Sequence, residues 1–310
     1  MILRALLLLL ALVPAAGLGL LLWCCGRRSV PDFWQESALL TRGKGRRREE
    51  VLAGKAWLER QHLEPVETES DDELRLRGTF LRKKKGALGT VLLLHDFRSS
   101  WKLDFSGLAR FLYEEGYQLL FVDQRAHGES RGFWSTCGIW ERYDVRGWTN
   151  YLAMRFADTH SIWIYGCGMG GTAALLASSL ELSGVVRGII AEDAWSSPYR
   201  WLKHRADAFF SPVPTAPALR LMDLCAWVFV GFSLRDLDAE QAVAESAYPI
   251  LLIHGTENRR VPLTVPLKIQ ARAPAGRCGL LKVEGAGEGL CRAVAGQQVE
   301  DALRRLFREG

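Results

Sequence analysis

The sequence lacks most of the signatures that assign a chemistry at sight. It has no Gly-rich phosphate loop ending in Lys-Ser/Thr, so nucleotide binding has no support. Its seven cysteines show no framework: Cys24 and Cys25 are adjacent, and Cys137, Cys167, Cys225, Cys278 and Cys291 are scattered singly. None has metal-ligand spacing and the six histidines form no cluster with them, so no metal and no cofactor is expected. The same scatter fits free thiols in a reducing compartment. Excess charge is scarce as well. The formal net charge is +5, of which the first 50 residues carry +4. The nearly neutral remainder offers no nucleic-acid footprint.

What is present is a chain of 310 residues, 48% apolar and 24% charged, the balance of a packed domain. Ala5 to Cys25 form a leucine-rich run of 21 residues without a charge. About 20 apolar residues span a bilayer. A cleaved signal peptide would have a shorter apolar core, whereas apolar residues resume here from Leu18 to Trp23. Residues 1–25 therefore read as a transmembrane anchor, with a buried core helix as the rival. Membrane lipid is then one partner. Arg27, Arg28 and the run Arg42, Lys44, Arg46, Arg47, Arg48 follow the anchor. By the positive-inside rule they place the globular part in the cytoplasm, as a single-pass protein. The basic run either draws anionic headgroups or is a solvated linker. Residues 26–65 read as a tether ending in a helix, with helical apolar spacing from Val51 to His62.

Residues 66–310 read as the globular domain, in which strand and helix alternate from residue 74 onward. Strands are expected at Leu74–Leu81 (an edge), Thr90–His95, Gln118–Val122, Ser161–Tyr165, Val185–Ala191, Pro249–His254 and Gly279–Val283. Helices are expected at Leu103–Glu115, Trp140–Phe156, Thr172–Leu182, Pro262–Ala273 and Ala293–Arg308. Such alternation implies a mostly parallel sheet with helices on both faces and a ligand site beyond the carboxyl ends of the strands. An insert of about residues 196–245, carrying an apolar helix at Ala218–Val230, reads as a lid over that site.

Four motifs then point to a family. Tyr165-Gly166-Cys167-Gly168-Met169-Gly170-Gly171 follows a strand and opens a helix. Asp123 to Ser130 reads Asp-Gln-Arg-Ala-His-Gly-Glu-Ser, His254 to Pro262 reads His-Gly-Thr-Glu-Asn-Arg-Arg-Val-Pro, and Glu284 to Gly289 reads Glu-Gly-Ala-Gly-Glu-Gly. Together and in this order they resemble the serine aminopeptidase-like branch of the α/β-hydrolases, in its membrane-anchored bacterial form. The resemblance implies a serine nucleophile at an elbow, an acid and a histidine. Carried over, the serine place is Gly168, the acid place Asn258 and the histidine place Glu288, so all three are replaced. Cys167 does not rescue the site, since the small neighbours that the turn needs flank Gly168 instead. The oxyanion donors carry over to the N–H groups of Phe97 and Met169. Asp96 stands where the family has glycine, and its carboxylate would oppose an oxyanion if it pointed inward. Asn258 is expected to donate a hydrogen bond to Glu288. Glu192 and Asp193, at a strand end, are possible rim acids for acid–base work; otherwise they cap a helix and face solvent. His95, His127, His254 and Asp123 read as turn and packing residues.

The resulting expectation is a membrane-anchored α/β-hydrolase fold without its triad, binding an acyl or peptide-like ligand or a protein partner. The alternatives are a weak ester or peptide hydrolase using carboxylates and water, and a decaying relic.

Overall fold

The computed structural model describes residues 2–27, 45–83, 85–156 and 161–309, with the side chains of the first helix described from Leu12 onward. Two helices lead the chain, α1 (Ile2–Cys25) and α2 (Gly45–Leu58). Strands β1 (Leu63–Glu69), β2 (Arg75–Leu81) and β3 (Gly89–Leu94) follow, then α3 (Trp101–Glu114), β4 (Tyr117–Asp123) and α4 (Glu141–Arg155). Next come β5 (Ile162–Cys167), α5 (Met169–Ala177) and β6 (Val186–Glu192). The insert holds α6 (Pro198–Phe210), α7 (Ala216–Phe229) and α8 (Ala239–Ala244), before β7 (Ile250–Gly255), α9 (Thr264–Arg272), β8 (Cys278–Val283) and α10 (Cys291–Glu309).

The strands form one eight-stranded sheet in the order β1-β2-β4-β3-β5-β6-β7-β8, antiparallel at β1-β2-β4 and parallel beyond. The central strands are continuous apolar runs because helices cover both faces. Their side chains still alternate. Val91 and Leu93 join the core under α3 and α10, while Leu92 and Leu94 join the core under α4 and α5. Burying one such leucine contributes roughly 1.5–3 kcal/mol.

Two expectations change at the start of the domain. Leu74–Leu81 was expected to be the edge, but β1 pairs along its whole length, from Leu63 opposite Leu81 to Glu69 opposite Arg75. The reason it escapes the sequence pattern is its polarity. Glu64, Glu67 and Glu69 blunt an edge strand against pairing with another chain, and in doing so erase the apolar alternation. The helix expected over Val51–His62 begins earlier and ends at Leu58. It is held to α3 by Arg47, which lies 3.1 Å from the buried Asp104 carboxylate. Arg47 is thus an ion-pair partner within the domain rather than a linker charge. Arg28, Arg42 and Lys44 lie outside the described residues.

The first helix also departs from a free anchor. Leu21 and Cys25 are fully buried against the domain. Arg98 donates to the terminal carbonyls of Trp23 and Cys24, and Arg27 donates to the carbonyls of Gly128 and Ser130. The helix end, which would otherwise leave carbonyls unpaired, is closed by Arg98 of the loop after β3 and by the Ser135 N–H, which donates to the Cys25 carbonyl from the loop after β4. Among the described residues, no helix is long and apolar enough to cross a membrane.

The same loop is stiffened from inside. Arg125, 2% exposed, lies 2.6 Å from the buried Asp144 and 3.0 Å from the half-exposed Asp72. Removing the buried partner strands a guanidinium in the core. We expect Asp144→Ala to lower unfolding free energy by about 3–5 kcal/mol. Asp72→Ala should cost about 1 kcal/mol or less, because water replaces it. Urea denaturation of both variants checks the contrast.

Candidate functional site

Gly168 stands between β5 and α5 with φ 49° and ψ −110°. Only glycine enters that region at little steric cost. Here the missing side chain has a second role. A Cβ built on Gly168 would overlap the carboxylate of Asp96, which reaches across from the loop after β3. Asp96 Oδ1 accepts hydrogen bonds from the N–H of Phe97 at 2.7 Å and the N–H of Met169 at 2.8 Å. These are the two donors to which the resemblance assigns an oxyanion. The anion-binding geometry is present, at the N-terminus of α5, where the helix dipole favours negative charge. Its occupant is the chain's own carboxylate.

The plug is fixed from several sides. The N–H of Asp96 donates to Asp104 Oδ2 at 2.8 Å. His95 meets the Asp96 carbonyl through Nδ1 at 2.7 Å and accepts from the Gln124 N–H through Nε2 at 3.2 Å. His127 accepts from the Arg98 N–H through Nε2 at 3.1 Å and meets the Arg125 carbonyl through Nδ1 at 2.9 Å. Backbone N–H groups can only donate, so both rings are neutral with the proton on Nδ1. Burial agrees, pushing His95 down to about 4 and His127 to about 3. Burial likewise raises Asp96 well above the usual carboxylate range, and the carboxylates of Glu288 and Asp104 add to the effect. The two N–H bonds act the other way without cancelling it.

Asn258 and Glu288 come to the same strand edge but not to each other. Asn258 Oδ1 accepts from the N–H groups of Arg260 and Val261 at 2.9 and 3.0 Å. Its buried Nδ2 has no partner. The expected Asn258–Glu288 hydrogen bond is not made. Glu288 pairs instead with Arg260, at 2.6 Å. A guanidinium satisfies a carboxylate better than an amide does, and the turn already claims the amide oxygen. Burial still raises the Glu288 carboxyl, against the pull of Arg260.

Glu192 and Asp193 are not a solvated rim. They are 8% and 4% exposed. Glu192 Oε2 accepts from the Tyr165 hydroxyl at 2.8 Å and lies 3.9 Å from Cys167 Sγ. Burial beside Asp193 raises it to about 7. Asp193, at φ 51°, accepts from Gly255 N–H at 3.3 Å and Gly289 N–H at 2.7 Å, with His254 Nδ1 3.2 Å away. It ties the strand ends to the loop that carries Glu288. Ligand atoms of Glu192, Asp193 and Cys291 lie within 4.8 Å of one another, the one such group among the described residues. Its carboxylates are already engaged by the hydroxyl and N–H groups above. Burial next to Glu192 also holds the Cys167 thiol far above its usual range, which makes it a poor nucleophile.

The volume above Met169 is filled. Phe97, Trp195, Trp201 and Leu202 pack there with Leu21 of α1 and Met222 of α7. Trp195 and Trp201 stack with ring centroids 4.2 Å apart. Sequence reasoning placed Asp96 beside the site but missed its role. The signal was a pair that fits in volume, a carboxylate at 96 and no side chain at 168.

Comparison with known proteins shows the fold. An esterase of Pyrococcus furiosus superposes with a TM-score of 0.67, 21% identity and coverage of 80% of this chain and 91% of that one. An α/β hydrolase of a Penicillium species gives 0.60, 16% identity, and 80% and 98% coverage. A thermophilic esterase of Thermogutta terrifontis gives 0.55, 17%, and 79% and 98%. The chain has the α/β-hydrolase fold. No family model matches it. The uncharacterized protein YqkD of Bacillus subtilis strain 168 is 25% identical over 175 residues, 56% of this chain. That match spans just over half, 57%, of the relative's own length.

Two outcomes follow from the plug. Gly168→Ser should destabilise the wild-type chain more than it destabilises Asp96→Gly, with a coupling of about 1 kcal/mol or more in a double-mutant cycle. The second outcome concerns pH. A carboxyl that binds its proton more tightly when folded stabilises fully below about pH 4, the unfolded value. That contribution is lost as pH rises through the raised folded value. Asp96→Asn keeps an oxygen acceptor and has no such proton to lose. Its stability should therefore fall less than that of the wild type over this rise, as read by thermal melts across pH.

Proposed function

We propose that this is a non-catalytic α/β-hydrolase-fold protein that acts by binding, attached to a membrane through its N-terminal helix. The observation that carries the reading is the Asp96 carboxylate seated on the Phe97 and Met169 N–H groups, over a Gly168 that has no side chain. A tetrahedral acyl intermediate needs an attacking atom and an unoccupied pair of donors. Neither is offered. On the family resemblance, Gly168, Asn258 and Glu288 take the places of serine, acid and histidine. With the old acyl space filled by aromatic side chains, a surface-bound partner fits better than a deeply buried acyl ligand. All seven cysteines are free, which supports a cytoplasmic setting.

A second reading has one observation in its favour. Burial and the Glu288 carboxylate both raise the proton affinity of Asp96, so Asp96 can be protonated while Glu288 is ionised. Such a pair could activate water for slow ester hydrolysis. It would replace the Glu192–Asp193 pair, which is engaged elsewhere.

Reconstruction separates these readings. The wild type should show no fluorophosphonate labelling and no acyl-enzyme burst. The triple change Gly168→Ser, Asn258→Asp, Glu288→His should stay inactive, because Asp96 still fills the oxyanion position. Adding Asp96→Gly should yield labelling at residue 168 and measurable turnover of short acyl esters. Wild-type turnover abolished by Asp96→Asn or Glu288→Gln would establish the carboxylate mechanism instead. A labelled wild-type serine would overturn both readings.

A further inference from the structure

Eleven of the seventeen exposed large apolar side chains among the described residues lie on α1 or on the insert. On α7 they are Leu224, Trp227, Val228 and Phe229, each more than half exposed. Leu224, Trp227 and Val228 are spaced three and four apart and so share one stripe. Phe209, at the end of α6, is 81% exposed, and Val213 after it is 63% exposed. A soluble monomer scatters such residues; a band of them marks an interaction surface.

This band is continuous with α1. Pro14 O lies 3.8 Å from Cys225 Sγ. A Cβ on Gly17 would come within 2.9 Å of Leu221, so only glycine permits this approach. Low numbers on α1 thus face high numbers on α7. The two helices run antiparallel, and the exposed Leu12 and Val13 lie toward the end that carries Trp227 and Phe229. Charge on the insert agrees. Asp223, the acid of α7, turns inward to accept from the Leu234 N–H at 2.7 Å. On α7 the exposed charge is Arg220; α6 exposes Arg205 and Arg200, the latter paired with Glu240, and carries the half-exposed ion pair Lys203–Asp207.

Length then decides the geometry. From Pro14 onward one face of α1 is taken up by α7 and the domain, with Leu22 and Trp23 left exposed. The described residues ahead of Pro14, from Ile2, measure roughly 18 Å at 1.5 Å each, and those nearest Pro14 still lie beside the end of α7. A hydrocarbon core is about 30 Å thick. These described residues span less than that core, and enough to enter one leaflet.

We propose that the first half of α1 and the exposed face of α6–α7 form one monotopic docking surface that lies in a single leaflet of an anionic bilayer. The inference rests on the reading of α1 as a membrane element and changes its form from spanning to lying in the interface. Aromatic side chains sit at headgroup level and the arginines meet lipid phosphates.

The test uses the full chain with phosphatidylcholine vesicles containing phosphatidylserine. The wild type should float with the vesicles, and protease added outside should remove both an N-terminal and a C-terminal tag. The triple change Val213→Glu, Trp227→Glu, Phe229→Glu, at exposed positions, should keep the circular dichroism spectrum and melting temperature. It should lower the vesicle partition coefficient at least tenfold. A wild type that does not float would overturn the membrane reading of α1 itself. A floating wild type with a protected N-terminal tag, or a triple variant that binds equally, would overturn only the monotopic surface. Loss of a vesicle-independent dimer in the triple variant, seen by light scattering, would assign the face to a second copy and overturn it as well.

Discussion

One carboxylate in one place organises the candidate site. Asp96 can sit on the Phe97 and Met169 N–H groups only because position 168 has no Cβ. A buried carboxylate is costly unless its lone pairs are met. Two N–H donors and the positive end of a helix meet those of Oδ1. The rest of the polar network serves that placement. Asp104 takes the Asp96 N–H, Arg47 offsets Asp104, and two neutral histidines pin the backbone on either side. Through Arg47 the network reaches α2, so a stretch outside the alternating strands and helices becomes part of the site's support.

The exposed apolar face of the insert and the filled pocket share one cause. α7 lies over the carboxyl edge of the sheet and turns Met222 and Ala226 inward, so its opposite stripe must face outward. In a hydrolase with an open pocket, such an insert would cover substrate. Here it covers Met169 and the stacked pair Trp195 and Trp201, and α1 closes the remaining side. The apolar surface of the insert is then displaced to the outside rather than spent on a ligand. A helix that is apolar on both sides needs a second apolar medium.

The parallel core was legible because its strands are buried on both faces and read as unbroken apolar runs between turn residues. Leu92 and Leu94 announce themselves in this way; the strand Leu63–Glu69 does not, because an edge is kept polar. The positions Gly168, Asn258 and Glu288 were found by motif order. Their pairing was not. Sequence gives no distance between Arg260 and Glu288, and nothing near Asn258 says that its oxygen is already claimed by two N–H groups of its own turn. Glu192 and Asp193 looked like rim acids because they end a strand. Only the bend at Asp193 shows that one carboxylate turns to Tyr165 and the other to the glycine N–H groups.

Complementarity among the changed positions bears on whether the domain is a relic. Random loss leaves unmatched groups: a cavity where a side chain vanished, or a buried charge where one was gained. At 96 and 168 the gain and the loss fill one another. At 260 and 288 a guanidinium answers the carboxylate. The orphan is Asn258 Nδ2, and its own oxygen still holds the turn before Val261. The backbone at Gly168 is strained, at φ 49°. It aims the Met169 N–H at Asp96, so the strain serves a structural contact. Two of the three departures are thus matched by a partner in space. On the proposed reading, that is the pattern expected of a fold maintained for binding, and it weighs against decay.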